Sequence, residues 1–201
     1  MVSFFIRKIR ISILTFEPNY DNYYINRKNF CYINRNSNVI IITKGLNNEE
    51  KICDYYRHGH TNGMTICYTN TTNNTEKVLP HGFVKESTVA LTKLSYFIPY
   101  LSDKNVALIK IDIEGSEGIV IENGIDLITK HHVPFIFLEF SPSFLKEHKT
   151  DPKNFIQLFL NNGYKISLKS FLSKEYISLD YLLKIVRFQK NIYLIYTDFL
   201  I

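Results

Sequence analysis

The chain has 201 residues, enough for one domain with a substantial buried core. Its 45 % hydrophobic and 21 % charged content excludes disordered and fibrous classes. The net charge of +5 is spread thinly, with Arg7-Lys8-Ile9-Arg10 the densest basic cluster, which argues against a nucleic-acid partner.

No run approaches the ~20 apolar residues that a membrane-spanning helix needs. The apolar N-terminus is broken by Arg7, Lys8 and Arg10 and lacks the charged-then-apolar order of a signal peptide. Cys31, Cys53 and Cys67 are odd in number and unremarkably spaced, so free thiols in a reducing, cytoplasmic compartment are expected, with no membrane partner. Asn70-Thr71-Thr72 and Asn73-Asn74-Thr75 are sequons, but they fall in an Asn/Thr-rich tract that yields such triplets by chance.

Taken in order, Val2, Phe5, Ile6 and Ile9 follow the spacing of one helical face. Ile11 to Phe16 reads as a strand that stops at Glu17-Pro18-Asn19, since proline cannot continue a central ladder. Asn19 or Asp21 can cap a helix running to about Asn34. Val39 to Thr43 is a second strand. Residues 51–85 are rich in Asn, Thr, Gly and His and show no sustained period. A short strand at Thr88 to Thr92 and a short helix at Lys93 to Leu101 follow. Val106 to Ile113 is apolar and β-branched, which predicts a strand buried on both faces of a parallel sheet.

A helix is expected from about Ser116. Val133 to Phe140 is another buried strand, again ending on a carboxylate. Asp151-Pro152 has the form of an N-cap with proline at the first helical position, and Gly163 closes that helix. Tyr164 to Leu168 and Asn191 to Tyr196 are strands, with a helix at Leu179 to Val186 between them. Strands alternating with helices predict an α/β fold: a parallel-rich sheet with helices on both faces.

Three acids, Glu17, Asp112 and Glu139, fall at predicted carboxyl ends of strands, the edge where doubly wound folds place ligands. A solvated turn explains any one of them, but three along one edge point to a site. Asp112 with Glu114 supplies two hard oxygens suited to magnesium or calcium. Cys53, His58, His60 and Cys67 are zinc-type ligands without the paired spacing of structural zinc sites. No nucleophile–base pair is evident, and Ser116 caps a helix as readily as it would act in catalysis.

Thr15-Phe16-Glu17-Pro18-Asn19, then Asn38 to Glu50, then Ile109-Lys110-Ile111-Asp112-Ile113-Glu114-Gly115-Ser116-Glu117 occur in the order seen in FkbM-type methyltransferases, which the chain resembles from about residue 1 to about 168. The resemblance implies a Rossmann-like class I methyltransferase sheet forming a single domain over residues 1–201, with its core at about 11–168, a variable insert at about 51–87 and C-terminal elements at 164–201. It implies S-adenosylmethionine as cofactor and O-methylation of a small molecule or glycan. By that resemblance Glu17 and Asp112 serve cofactor binding, Glu17 at the ribose. Asp112 and Glu114 face the reacting methyl and the acceptor, and Glu139 matches a polar position after the fifth strand.

One departure stands out. The family's core opens with a strand and a glycine-rich turn whose glycines let the backbone approach the cofactor. No glycine precedes Gly45 here, so that strand and turn are expected to be missing, as in a truncated chain, and cofactor binding to be poor. In the family's strand order the missing strand stands between those that carry Glu17 and Asp112. Two competing readings are a non-catalytic remnant or binding module, and a metal-dependent hydrolase using Asp112 and Glu139.

Overall fold

The computed structural model describes residues 12–33, 38–58, 65–68, 82–113 and 115–199, without the side chains of 30–33, 58 and 65–68. The helix expected over residues 1–10 and the sequon tract lie outside them. Contacts divide the chain into two compact units, the first holding residues 1–45 and 50–91 and the second 46–49 and 92–201.

In the first unit, β1 (Ser12–Phe16) leads through α1 (Tyr20–Ile33) to β2 (Asn38–Ile42). β1 and β2 pair in parallel from Ser12↔Asn38 to Phe16↔Ile42, and the Glu17 N–H adds one more bond to the Ile42 carbonyl at 3.0 Å. Of the two expected caps it is Asn19 that acts. Its Oδ1 accepts from the Asp21 and Asn22 N–H groups at 2.8 and 3.1 Å, satisfying two orphan donors of α1.

The same unit holds β3 (Gly45–Leu46), β4 (Lys51–His58), β5 (Thr65–Tyr68) and β6 (Phe83–Thr92), in the sheet order β3-β6-β4-β5. β4 is antiparallel to both β5 and β6. The described part of the aperiodic stretch is thus almost all strand, and the reason it did not read as one is visible in β4. Its buried residues are Cys53 and Tyr55, while Ile52, the residue with the strongest strand character, is 72 % exposed. Cys53, Tyr55, Val89 and Leu91 form the small core beneath this sheet. Cys53 is disulfide-bonded, which corrects the expectation of free thiols: an odd count leaves one cysteine over but does not stop two from pairing.

The second unit carries the larger core. After single 3-10 turns at Leu94–Tyr96 and Ile98–Leu101 come β7 (Leu108–Ile111), α2 (Glu117–Asn123), α3 (Asp126–Thr129) and β8 (Phe135–Phe140). Then follow α4 (Pro142–Glu147), α5 (Pro152–Asn161), β9 (Tyr164–Ser167), α6 (Leu179–Ile185) and β10 (Lys190–Tyr196). The strand order is β7-β8-β10-β9, with β7 parallel to β8 and β10 antiparallel to both its neighbours.

Alternate residues of these strands (Ile136, Leu138 and Phe140; Ile192 and Leu194; Tyr164 and Ile166) are buried with side chains from α2 to α6 on one face. The opposite face is only partly covered. There Phe137 and Tyr193 pack at 5.1 Å between ring centres, and Phe171 closes on Tyr193 at 5.0 Å and on Phe135 at 5.1 Å.

β7 is shorter than expected and not buried on both faces. Leu108 is 54 % exposed and Lys110 is exposed. Among the described residues β7 pairs only with β8, and β1 only with β2, so each is an edge strand.

Candidate functional site

The register of the second sheet decides which side chains meet. Ile111 stands opposite Leu138, so Asp112, one residue on, lies beside Glu139, and Glu139 stands opposite Asn191. Asp112, Glu139 and Asn191 therefore form a row across three strands, on the partly covered face and at the carboxyl ends of β7 and β8. Asp112 Oδ2 accepts from Lys110 Nζ at 2.8 Å, an ion pair of two well-exposed side chains on the same strand. Glu139 is half-buried, and its carboxyl is held above the usual range. Burial is the main cause; a hydrogen bond from Gln189 opposes it, while the Asp112 carboxyl beside it and the charge of Glu117 add to it.

Next to this row is a cavity of about 390 Å³ lined by Glu139, Leu168, Gln189, Lys190, Asn191 and Tyr193. It adjoins a second cavity of about 500 Å³ through Leu168, Gln189 and Lys190, whose further walls are Ile185, Val186, Arg187 and Phe188. Both volumes are in the range of small-molecule sites.

The turn after Asp112 is built by packing. Glu117, the first residue of α2, is only 3 % exposed and turns back to accept the Ile113 N–H at 3.1 Å, closing the turn on itself. Gly115 has φ +98°, and a Cβ there would stand 2.7 Å from Phe144 Cβ and 2.9 Å from His148 Cδ2. A Cβ on Gly118 would run into the Thr150 side chain. The two glycines of the Gly-Ser-Glu-Gly run thus let the turn sit against the α4–α5 segment. Ser116 precedes α2 without capping it through its side chain. Its hydroxyl instead lies 3.5 Å from His148 Nδ1, the outer limit of a hydrogen bond.

Glu17 belongs to the first unit, at the end of β1. It accepts the Asn19 N–H at 2.9 Å. Burial raises its carboxyl above the usual range, against hydrogen bonds from the Asn19 backbone and the Asn22 side chain. Asn19, buried, also reaches Tyr55 Oη and Glu86 Oε2, each at 3.4 Å. The Phe-Glu-Pro-Asn segment is therefore a fixed corner, with Asn19 as its keystone. That role was legible only as a choice between two caps.

Asp112 and Glu139 are brought together; Glu117, from the same motif, bears on Glu139 by its charge, and Gln189 and Asn191, at the start of a predicted strand, join them without having been singled out. Glu114 lies outside the described residues. Of the zinc-type set, Cys53 is taken by its disulfide, while His60 and the side chains of His58 and Cys67 are not described. Among the described residues no three His, Cys, Asp or Glu side chains are placed to share a metal ion.

Residues 2–166 match the model of the methyltransferase FkbM domain. The chain belongs to the FkbM methyltransferase family. This span contains both the Phe-Glu-Pro-Asn corner and the Asp112 turn, and the mixed α/β, Rossmann-like architecture is that of the FkbM domain. No curated protein and no solved structure matches the chain. Family membership makes it a methyltransferase by descent. Among the described residues no helix is long and apolar enough to cross a membrane.

Proposed function

We propose that this FkbM-family chain is built to methylate a hydroxyl of a small molecule or glycan, with S-adenosylmethionine as methyl donor and weak affinity for that donor. The observation that carries the reading is the row of Asp112 and Glu139 at the end of the motif strand, opening on a cavity of about 390 Å³. A carboxyl whose proton affinity is raised by burial accepts a hydroxyl proton more readily than an ordinary carboxylate does. Asp112, paired with Lys110, and Glu114, the second acid of the motif, orient the acceptor in this reading.

The fit to the cofactor is uneven. Glu17 is a carboxylate fixed by its own turn, able to receive ribose hydroxyls. The methionine end requires glycine backbone, and Gly45, the first glycine of the sequence, is no cradle: a Cβ there would meet Leu91 Cδ2 at 2.7 Å. S-adenosylmethionine, when bound, supplies an electrophilic methyl, with Glu17 and Asp112 the residues the resemblance assigns to holding it. The crowding at Gly45 favours a second reading, a binding module that has kept the acceptor side and lost transfer.

Calorimetric titration of the purified chain with S-adenosylmethionine tests both. We expect a dissociation constant above about 100 μM, weakened further by Glu17→Gln. Micromolar affinity overturns the weak-donor reading. Absence of heat at millimolar ligand, with no methyl transfer, favours the binding module.

A further inference from the structure

The two adjoining cavities differ in chemistry, and the difference is readable as a ligand. The cavity beside Glu139 offers a carboxyl, the ammonium of Lys190, the amides of Gln189 and Asn191 and the ring of Tyr193. The Tyr193 ring is held in place by Phe137 and Phe171. A fixed aromatic ring flanked by acceptors and donors of hydrogen bonds suits the mixed apolar and hydroxyl faces of a saturated, polyhydroxylated ring.

The second cavity is walled by Leu168, Ile185, Val186 and Phe188. Phe188 is 80 % exposed, an apolar side chain left to solvent at the rim. Arg187 and Lys190 lie along the same strip, and their stems can lie along apolar surface with the charge in water.

We propose that the joined cavities bind a polyhydroxylated ring carrying an aryl or alkyl substituent, the ring beside Glu139 and Tyr193 and the substituent against Phe188. The proposal rests on the methyltransferase reading only in naming that ring the methyl acceptor. Leu168, Gln189 and Lys190, which wall both cavities, mark where ring and substituent join.

The test uses the full chain without cofactor, titrated with methyl and phenyl β-glycosides of glucose, galactose and mannose and followed by saturation-transfer NMR. At least one phenyl glycoside is expected to bind about tenfold more tightly than its methyl counterpart. Phe188→Ala, a change at an exposed side chain, is expected to erase that gap, and Glu139→Gln to weaken both ligands. The proposal is overturned if no glycoside binds at about 10 mM, if phenyl and methyl forms bind alike, or if Glu139→Gln changes neither. Glycoside binding without methyl transfer from S-adenosylmethionine would sink the methyltransferase reading and leave the cavity assignment standing. Methyl transfer to another acceptor without glycoside binding would do the reverse.

Discussion

Glu139 and Glu17 share a property that stability selection alone would remove. Each is a carboxyl that burial pushes above its ordinary value, so the folded state binds its proton more tightly than the unfolded chain does. The sign follows: such a group favours the fold when protonated, at pH below about 4.5, and that contribution is lost as pH rises through the folded value. At neutral pH ionised Glu139 beside Asp112 is a cost carried by the fold, and acids kept at a cost mark sites. Glu139→Gln is therefore expected to raise the melting temperature at pH 7 relative to the parent, with the difference shrinking towards pH 4. Parallel thermal scans across that range check it, and a gain independent of pH would show that charge is not the cause. At this scale the acids were legible as strand ends. Their partners were not: Gln189 and Asn191 come from a strand end with no distinguishing pattern, and the need for Gly115 and Gly118 arises from Phe144, His148 and Thr150 some thirty residues away.

Elements were legible where one local rule spoke clearly. Asp151-Pro152 marks the start of α5, and Asp151 Oδ1 does accept the Asn154 N–H at 2.8 Å. Gly163, at φ +85°, follows its end. β4 was illegible because its buried face is Cys53 and Tyr55 rather than Ile52, so that period-2 alternation of hydrophobicity points the wrong way. β7 reads as a buried strand because its composition is that of a central one, yet it has a single partner strand among the described residues. The cap gives the cleanest test. Asp151→Ala leaves an orphan donor at the start of α5, whose Phe155, Ile156 and Phe159 belong to the second unit's core. A loss of about 1 kcal/mol is expected by urea unfolding, and Asp151→Asn should restore most of it. A loss below about 0.3 kcal/mol would mean the helix is held by packing alone.

At the scale of the whole molecule, the described residues of the two units differ most in how much they bury. The second unit's core joins eighteen buried residues across four strands and five helices, with Tyr164 Oη donating to the Val133 carbonyl at 2.9 Å inside it. Among the described residues the first unit's cluster has four, Cys53, Tyr55, Val89 and Leu91, and its helix α1 leaves Tyr20, Tyr24 and Ile25 exposed. Local stability follows buried apolar contact, so the free energy of opening should differ between the units by more than thermal energy. A chain of this length built on one continuous core would open as a single cooperative body. Here hydrogen exchange followed by mass spectrometry, at rising guanidinium, should show β1, β2 and α1 losing protection first. Peptides spanning β8, α5 and β10 should hold theirs to higher denaturant. Of the second unit, β7 should exchange soonest, because its outer ladder edge has no described partner. Equal protection across both units, lost in one step, would show that the small cluster around Cys53 is stabilised as strongly as the large core. A methyl donor that engages Glu17 in the first unit should then raise protection there before it alters the second.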